Sequence, residues 1–585
     1  MQNYHRMMNV ILDDLVKCQN TDGIVTSIIV DNTPCGVTLK VPVAFVVGDC
    51  EGNDKLCGRF GTHSLGNILV CRDCDCPTMQ ADNPGVVCSP ITIQTIFSAR
   101  DDLVALKLLS HHNIDNAFHK LSFGGDPEGI HGCSPPEMLH LYQQGLYKYA
   151  LESFVNSLTS EQRRSLDQLV AKVSDNCYHQ SDRTFPRFRF PRGITNLSCF
   201  TAAEQVGVTL VCFLAIAMQE FESIILCYNI SKRNYSIDPN AVARCKQFMK
   251  LFEAMLVAES WINQEHHSAE QVPQHASTAI THLMHQYKNT INWTEGNGLK
   301  LPKFHQLKHM PRYILKFGSP ANFNTSRCES HHIHLSKKPA KTAQKRDDCF
   351  EQQVGHRIVD SIVLSRATQS MIYSSSKTPP FIKAQISGTR FSIIRLGVDD
   401  NFSAVSCSNC SDSLPFDQVI LNNFGNSLHE YFSTNDGIPC FTEHYRMDEV
   451  NQEYVLFRAH PCFRGKPWND WAHFQWDKDA EDDSSDNSYD EIPAKILFFL
   501  DARDIKDHIS VDPGLYAVVQ SLTRVPFPLT GSKILRKAAM DPKDSFRLCH
   551  VDSIVDVAFV IPNIGAVNQY YLIAPPLAWA KAFIN

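Results

Sequence analysis

Apolar positions fall at helical spacing over residues 4–17, where Met8, Ile11, Leu12 and Leu15 share one face. Two runs rich in Val and Ile follow, Ile24–Val30 and Val37–Val47, and both read as strands with a turn predicted at Asn32–Gly36. The second run stops at Gly48-Asp49-Cys50. That puts an acid at the end of a strand, a place where α/β enzymes set their chemistry and where many acids serve only the turn. From about 100 to 300 the helical period dominates and predicts helices over 103–120, 136–158, 160–174, 201–227, 240–264 and 277–290. The stretch Arg183–Arg192 (RTFPRFRFPR) interrupts them, because its prolines exclude a helix. It reads either as an edge strand with Phe inward and Arg outward or as a basic-aromatic strip along a phosphate backbone. A linker is expected over 371–390, around Ser-Ser-Ser-Lys-Thr-Pro-Pro. Beyond it, 391–585 alternates apolar and polar residues and predicts a mainly β C-terminal domain.

A length of 585 residues calls for more than one core, and 43% apolar with 20% charged residues is the composition of a folded chain. Net charge is 55 − 62 = −7, and residues 477–491 alone carry eight acids against one Lys. The remainder sums to zero, so the overall sign does not exclude a nucleic-acid partner, and any basic surface is local. The acidic run itself is expected as a solvated loop within the β-rich part. Met1 opens MQNYHRMMNVILDD, which lacks the basic and apolar regions of a secretory signal. The longest apolar run, Val206–Met218, has 13 residues, short of the ~20 needed to span a bilayer. No membrane partner is expected, and the 21 cysteines read as thiols or metal ligands in a reducing compartment.

The strongest local signal is Cys71-Arg-Asp-Cys74, since a C-x2-C turn lets two thiolates reach one Zn²⁺. Two further ligands are needed, and the candidates are Cys133 with His140, or His305 with His309, which lie one helical turn apart. Cysteine redox chemistry is the competing reading of this segment. Cys407-x2-Cys410 is a second half-site with no evident partners. Glu329, in Thr-Ser-Arg-Cys-Glu-Ser-His-His, reads from spacing alone as the N3 residue of a capping box on Ser326. P-loop, dinucleotide-fold, zincin and nucleophile-elbow motifs are absent from the sequence.

Four ordered blocks carry a resemblance: GDCEGNDKLCGRFG with CRDCDCPT, SPPEMLHLYQQGLYKYAL, FPRFRFPRGITNLSCFTAAE, and LPKFHQLKHMPRYILKFGSPANFNTSRCESHHIHLSKK. Over roughly residues 1–350 the chain resembles transposases of the CACTA/Mirage/Chapaev superfamily, in particular the Plavaka-like group, with a weaker likeness in the tail. The resemblance implies an α+β protein: a partial RNase H-like core over 1–100, a helical insertion over 101–300, and a return to the core over 301–370. It implies DDE chemistry, in which two Mg²⁺ or Mn²⁺ ions about 3.5–4 Å apart, held by hard carboxylates, cleave and transfer DNA strands. Asp49 takes the second Asp position and Glu329 the Glu position. Cys71, Cys74, His305 and His309 form a structural zinc site. Glu137-x2-His140 stands where relatives show Asp-x2-His, a metal or structural role shared with Cys133. Arg183, Arg187, Arg189, Lys337, Lys338, Lys341, Lys345 and Arg346 become DNA-backbone contacts. Transposon-end DNA is the implied partner and the nucleus the implied location, and the resemblance leaves room for a homo-oligomer. The first Asp of the family has no counterpart in the motif context of Asp13, Asp14 or Asp31, so the catalytic set is expected to be incomplete. The alternative to an enzyme is a non-catalytic DNA-binding or regulatory protein, or an inert transposon relic.

Overall fold

The computed structural model describes residues 1–20, 23–30, 33–61, 67–176, 190, 192–218, 221, 239–264, 266–293, 298–325, 337–343, 346 and 349–374. In the C-terminal part it describes 440–441, 443–448, 453–463, 466–476, 490–501, 514–525, 532, 534–540, 546–562, 566 and 568–574. It is an α+β protein. Two compact units divide the chain: 1–323 with 403–585, and 324–402.

The first unit opens with helix α1, Gln2–Asn20, and a hairpin of β1, Ile24–Val30, with β2, Thr33–Leu39. The hairpin pairs Val30 with Thr33 and Ile24 with Leu39, so residues 33–36 of the expected turn are strand, while Asn32 lies outside the described residues. The ladder ends at Leu39 rather than Val47 because the following backbone bonds elsewhere: Val43 N–H donates to Ser122 and Val46 N–H to Cys133. Pro42 supplies no donor at all. Asp49 therefore ends an extended segment, not a sheet strand. The hairpin is the one sheet among the described residues of 1–325, and both its faces are exposed, with Val25 and Ile29 largely in solvent. The RNase H-like core that the resemblance implies is not found among these strands.

Helix α2, Cys50–Cys57, is stopped by Gly58, whose positive φ of 77° lets its N–H reach back to Asp54 and Lys55. Short helices α3, Ile93–Ala99, and α4, Leu103–Leu108, follow. The helix expected over 103–120 breaks after Leu108 because Ser110 takes a left-handed φ of 58°. In that position its hydroxyl accepts from the N–H groups of Ile68 and Leu69. A π-helix, Leu139–Tyr147, runs into α5, Lys148–Asn156, where one continuous α-helix was expected. Then come α6, Ser160–Asn176; α7, Ala202–Ala217; α8, Pro239–Ile262; α9, Val272–Thr290; α10, Pro302–Gln306; and α11, Met310–Phe317. A Thr201–Glu204 capping box starts α7, which is apolar all round and buried. These helices bury one core around Tyr147, Phe154, Phe213, Phe252 and Tyr287.

The C-terminal strands are all antiparallel. Strands β3 Cys440–Phe441, β4 Glu443–Asp448, β5 Glu453–Phe463, β6 Lys466–Asn469, β7 Trp471–Trp476, β8 Asp490–Asp501 and β9 Leu515–Ser521 come first. Strands β10 Thr523–Val525, β11 Leu535–Ala539, β12 Phe546–His550, β13 Ile554–Val557, β14 Phe559–Pro562 and β15 Gln569–Ile573 complete the set. One sheet runs β12-β9-β8-β7-β13 with β3 beside β8, a second runs β10-β11-β15-β14, and a third runs β4-β5-β6. The end of the acidic run, Asp490 and Glu491, belongs to β8, pairing with Trp476 and Gln475; residues 477–489 lie outside the described residues. The second sheet adds Ile534, Phe559, Ile561 and Tyr571 to the helical core, and the Tyr571 hydroxyl donates to Ala217 O at 3.4 Å.

The second unit holds α12, Lys338–Thr342, and α13, Phe350–Ser374, which makes residues 371–374 of the expected linker helical; 375–390 lie outside the described residues. No helix among the described residues is long and apolar enough to cross a membrane.

Candidate metal centre

Residues 68–91 form a knuckle stitched by its own backbone: Val70 N–H donates to Cys76 O, Thr78 to Ile68 and Ile91 to Asp73. Isolated bridges at Leu69–Pro77 and Cys74–Pro90 close it. The turn between them points two thiols inward, with Cys71 and Cys74 both buried. More than 230 residues later, His305 in the last turn of α10 and His309 just before α11 bring two imidazoles to the same place. Cys71 Sγ lies 3.3 Å from His309 Nε2, and Cys74 Sγ lies 3.2 Å from His305 Nε2 and 3.5 Å from His309 Nε2. All four ligand atoms fall within 4.8 Å of one another.

Bond lengths of about 2.3 Å to sulfur and 2.0–2.1 Å to nitrogen at a tetrahedral angle require S···N edges of about 3.6 Å. The observed edges match that tetrahedron, so this buried Cys2His2 group can hold a metal ion and is compatible with structural zinc. Of the two pairs that competed to complete the C-x2-C half-site, it is the histidine pair that converges. Burial works against the thiolate form of Cys71, but the Cys74 thiol and the His309 imidazole beside it prevail and hold it well below the ordinary thiol range.

The two residues inside the C-x2-C turn anchor the knuckle. Arg72 is fully buried and donates to Ser134 O and Oγ at 3.0–3.3 Å. It stands 3.9 Å from Asp54 on α2 and 3.8 Å from Asp73, while Arg59 also pairs with Asp54 at 3.2 Å. On the other side, the Cys50 thiol on α2 reaches Gln306 on α10 at 3.6 Å. Helix α2 is thereby tied to both halves of the cluster.

Asp49 is the exposed N-cap of α2, with Oδ1 accepting from Gly52 N–H at 2.5 Å. Glu329, its expected partner, lies outside the described residues, as do Cys407 and Cys410. Cys133, Glu137 and His140 are not part of the four-ligand group. Cys133 packs in an apolar cluster with Leu56, Cys57 and Ile130, and burial pushes its thiol up to about 11. The Glu137 carboxylate accepts from the N–H groups of Leu139 and His140, each at 2.7 Å, and makes a close contact with His140 Nδ1. It thereby satisfies the first two N–H groups of the π-helix. Arg183, Arg187, Arg189 and Lys345 lie outside the described residues. Phe190, at the end of that strip, is buried in the helical core against Phe200. Lys337, Lys341 and Arg346 are exposed and Lys338 opens α12, all in the second unit.

Sequence reasoning missed the buried Arg59–Asp54–Arg72–Asp73 chain. Its only trace was two charges between Cys71 and Cys74, a spacing that reads equally as a solvated turn. No family model matches the chain, and no curated protein matches it.

Proposed function

We propose that the chain is a DDE transposase-like protein that engages DNA, with a structural zinc ion at Cys71, Cys74, His305 and His309. The supporting observation is that the Cys pair and the His pair, two blocks of the resemblance separated by the whole helical region, meet at tetrahedral spacing. Zinc there closes the helical region against the segment carrying Asp49, because α2 bonds to both halves of the cluster. In this reading Asp49 and Glu329 supply carboxylates for Mg²⁺ or Mn²⁺. The ions would activate the attacking oxygen and stabilise the leaving one, and the side chains would fix where they sit. The basic residues at 183–189 and 337–346 would follow the DNA backbone. That interaction weakens steeply with salt.

The second reading is a DNA-binding protein without strand cleavage. It is favoured by Asp49 itself, whose N-cap bond to Gly52 accounts for an acid there without any metal. Purified full chain incubated with supercoiled DNA and Mn²⁺ separates the two. Nicking that disappears in Asp49→Asn and in Glu329→Gln supports the enzyme. Salt-sensitive DNA binding without nicking supports the second reading, and absence of both overturns the proposal.

A further inference from the structure

Three histidines outside the Cys2His2 group lie close together, one of them bonded to the Arg72 backbone. His111 follows α4, His119 sits in a 3-10 turn at Ala117–Lys120, and His131 ends another at Gly129–His131. The His111 and His131 rings lie 5.3 Å apart between centroids, and those of His119 and His131 lie 5.8 Å apart. His111 and His131 are buried, and each binds a backbone carbonyl through Nδ1: His111 to Leu109 O at 2.6 Å and His131 to Arg72 O at 3.1 Å. In all three rings Nε2 is buried with no hydrogen-bond partner. A buried polar atom left unsatisfied costs about 1–3 kcal/mol, and three in one cluster call for an explanation. An imidazole whose Nδ1–H is held by a carbonyl presents Nε2 as a lone pair, the arrangement that outer-shell carbonyls impose on metal-bound histidines.

We propose that His111, His119 and His131 form a second metal site, taking a borderline first-row ion such as Zn²⁺ through three imidazole nitrogens. Three protein ligands leave a fourth position for water. His119 also lines a cavity of about 140 Å³ together with Phe97, Arg100 and Asp115, a cavity that neither His111 nor His131 lines. As placed, the three rings are more widely spaced than the Cys2His2 ligands, the only described group within 4.8 Å. Sharing one ion would require His119, which borders the cavity, to close toward the other two. Burial keeps the rings neutral and able to coordinate, holding His111 down to about 3 and His119 to about 4. Arg59 is the cation facing His111 and His131, and Asp54 already pairs with it. An all-imidazole set favours zinc, copper, nickel or cobalt over magnesium or calcium.

The test is metal stoichiometry on the stripped full chain titrated with Zn²⁺ and then with Co²⁺. Wild type is expected to take up two ions. Cys71→Ser should lose the ion that gives thiolate-to-cobalt charge-transfer absorption, and His119→Ala should lose only the ion that lacks it. One ion in wild type overturns the proposal, independently of whether any variant folds. So does a second ion retained by both His119→Ala and His111→Ala. Either result leaves the reading of the Cys2His2 centre untouched, because that centre reports through its own absorption band.

Discussion

Arg72 sits between Cys71 and Cys74 with its guanidinium wholly out of water, facing Asp54 and Asp73. Removing one partner of a buried charged group leaves the others uncompensated, at a cost of about 3–5 kcal/mol. Arg72→Met should lower unfolding free energy by about that much in urea titration, and adding Asp73→Asn should restore part of it. Additive losses in the double variant would show that the two charges do not interact. Glu259 poses the opposite case. It is buried in α8, accepting from Tyr147 Oη at 2.7 Å and Gln143 Nε2 at 3.3 Å. Burial outweighs those bonds and holds its carboxyl above the ordinary 4.5. A folded-state value above the unfolded one means the native protein gains stability as pH falls through the raised value, and carries the full penalty above it. Glu259→Gln removes the charge and keeps hydrogen-bonding capacity. Its melting temperature should exceed that of the parent at pH 8, with the gap closing toward pH 5. A gap that does not change with pH would contradict this.

At the scale of elements, the π-helix 139–147 is the least expected piece. Wide π turns rarely extend beyond one turn and concentrate where a local constraint holds them open. Here Glu137 caps the start, while Tyr142 and Tyr147 bond α8 at Met255 O and Glu259. Gly145 permits close approach, since a Cβ there would lie 2.8 Å from His140 O and 3.0 Å from Lys303. Gly145→Ala should cost about 1–3 kcal/mol by calorimetry, as overpacking against backbone does. Loss below 0.5 kcal/mol would mean the π turn relaxes to accommodate the methyl. Apolar periodicity placed α1, α6 and α8 to within three residues, because each has an apolar pattern long enough to survive local detail, whereas α7 ends at Ala217 rather than 227 and α9 begins five residues before the expected 277. It did not reveal the π widening, since 3.6- and 4.4-residue periods are indistinguishable over two turns. It also ran 103–120 as one helix, because nothing in Ser110 announces a left-handed turn. The four residues of the candidate metal centre were legible because C-x2-C and H-x3-H are each local. The three-histidine cluster was not, because His111, His119 and His131 sit at spacings that match no ligand motif and meet only through tertiary packing.

For the whole molecule, the division at the expected linker gives way to a shared interior. Strands β11, β14 and β15 place Leu535, Phe559, Ile561 and Tyr571 in the same core as α7 and α8, and Ser532 donates to Glu253 on α8 at 2.8 Å. Helical and β regions should therefore melt together. Ile561→Ala, at a fully buried site, is expected to cost about 2–5 kcal/mol and to raise amide exchange in α7 as well as in β14. Protection lost in the sheet alone would mean the two regions unfold separately. The β-rich tail was readable from its alternation, whereas its merger with the helices was not, because a strand's inward face does not say what covers it.

The Cys2His2 centre is also a matter of timing. Its thiols and its last imidazole are 235 residues apart. A ribosome adding about 5–20 residues per second separates their emergence by roughly 10–50 s. Through that interval the nascent chain carries an open dithiol, able to chelate whatever soft ion arrives first or to oxidise. Any metal that this centre takes up would thus be set partly by ion supply during synthesis, before the completed fold exists to choose.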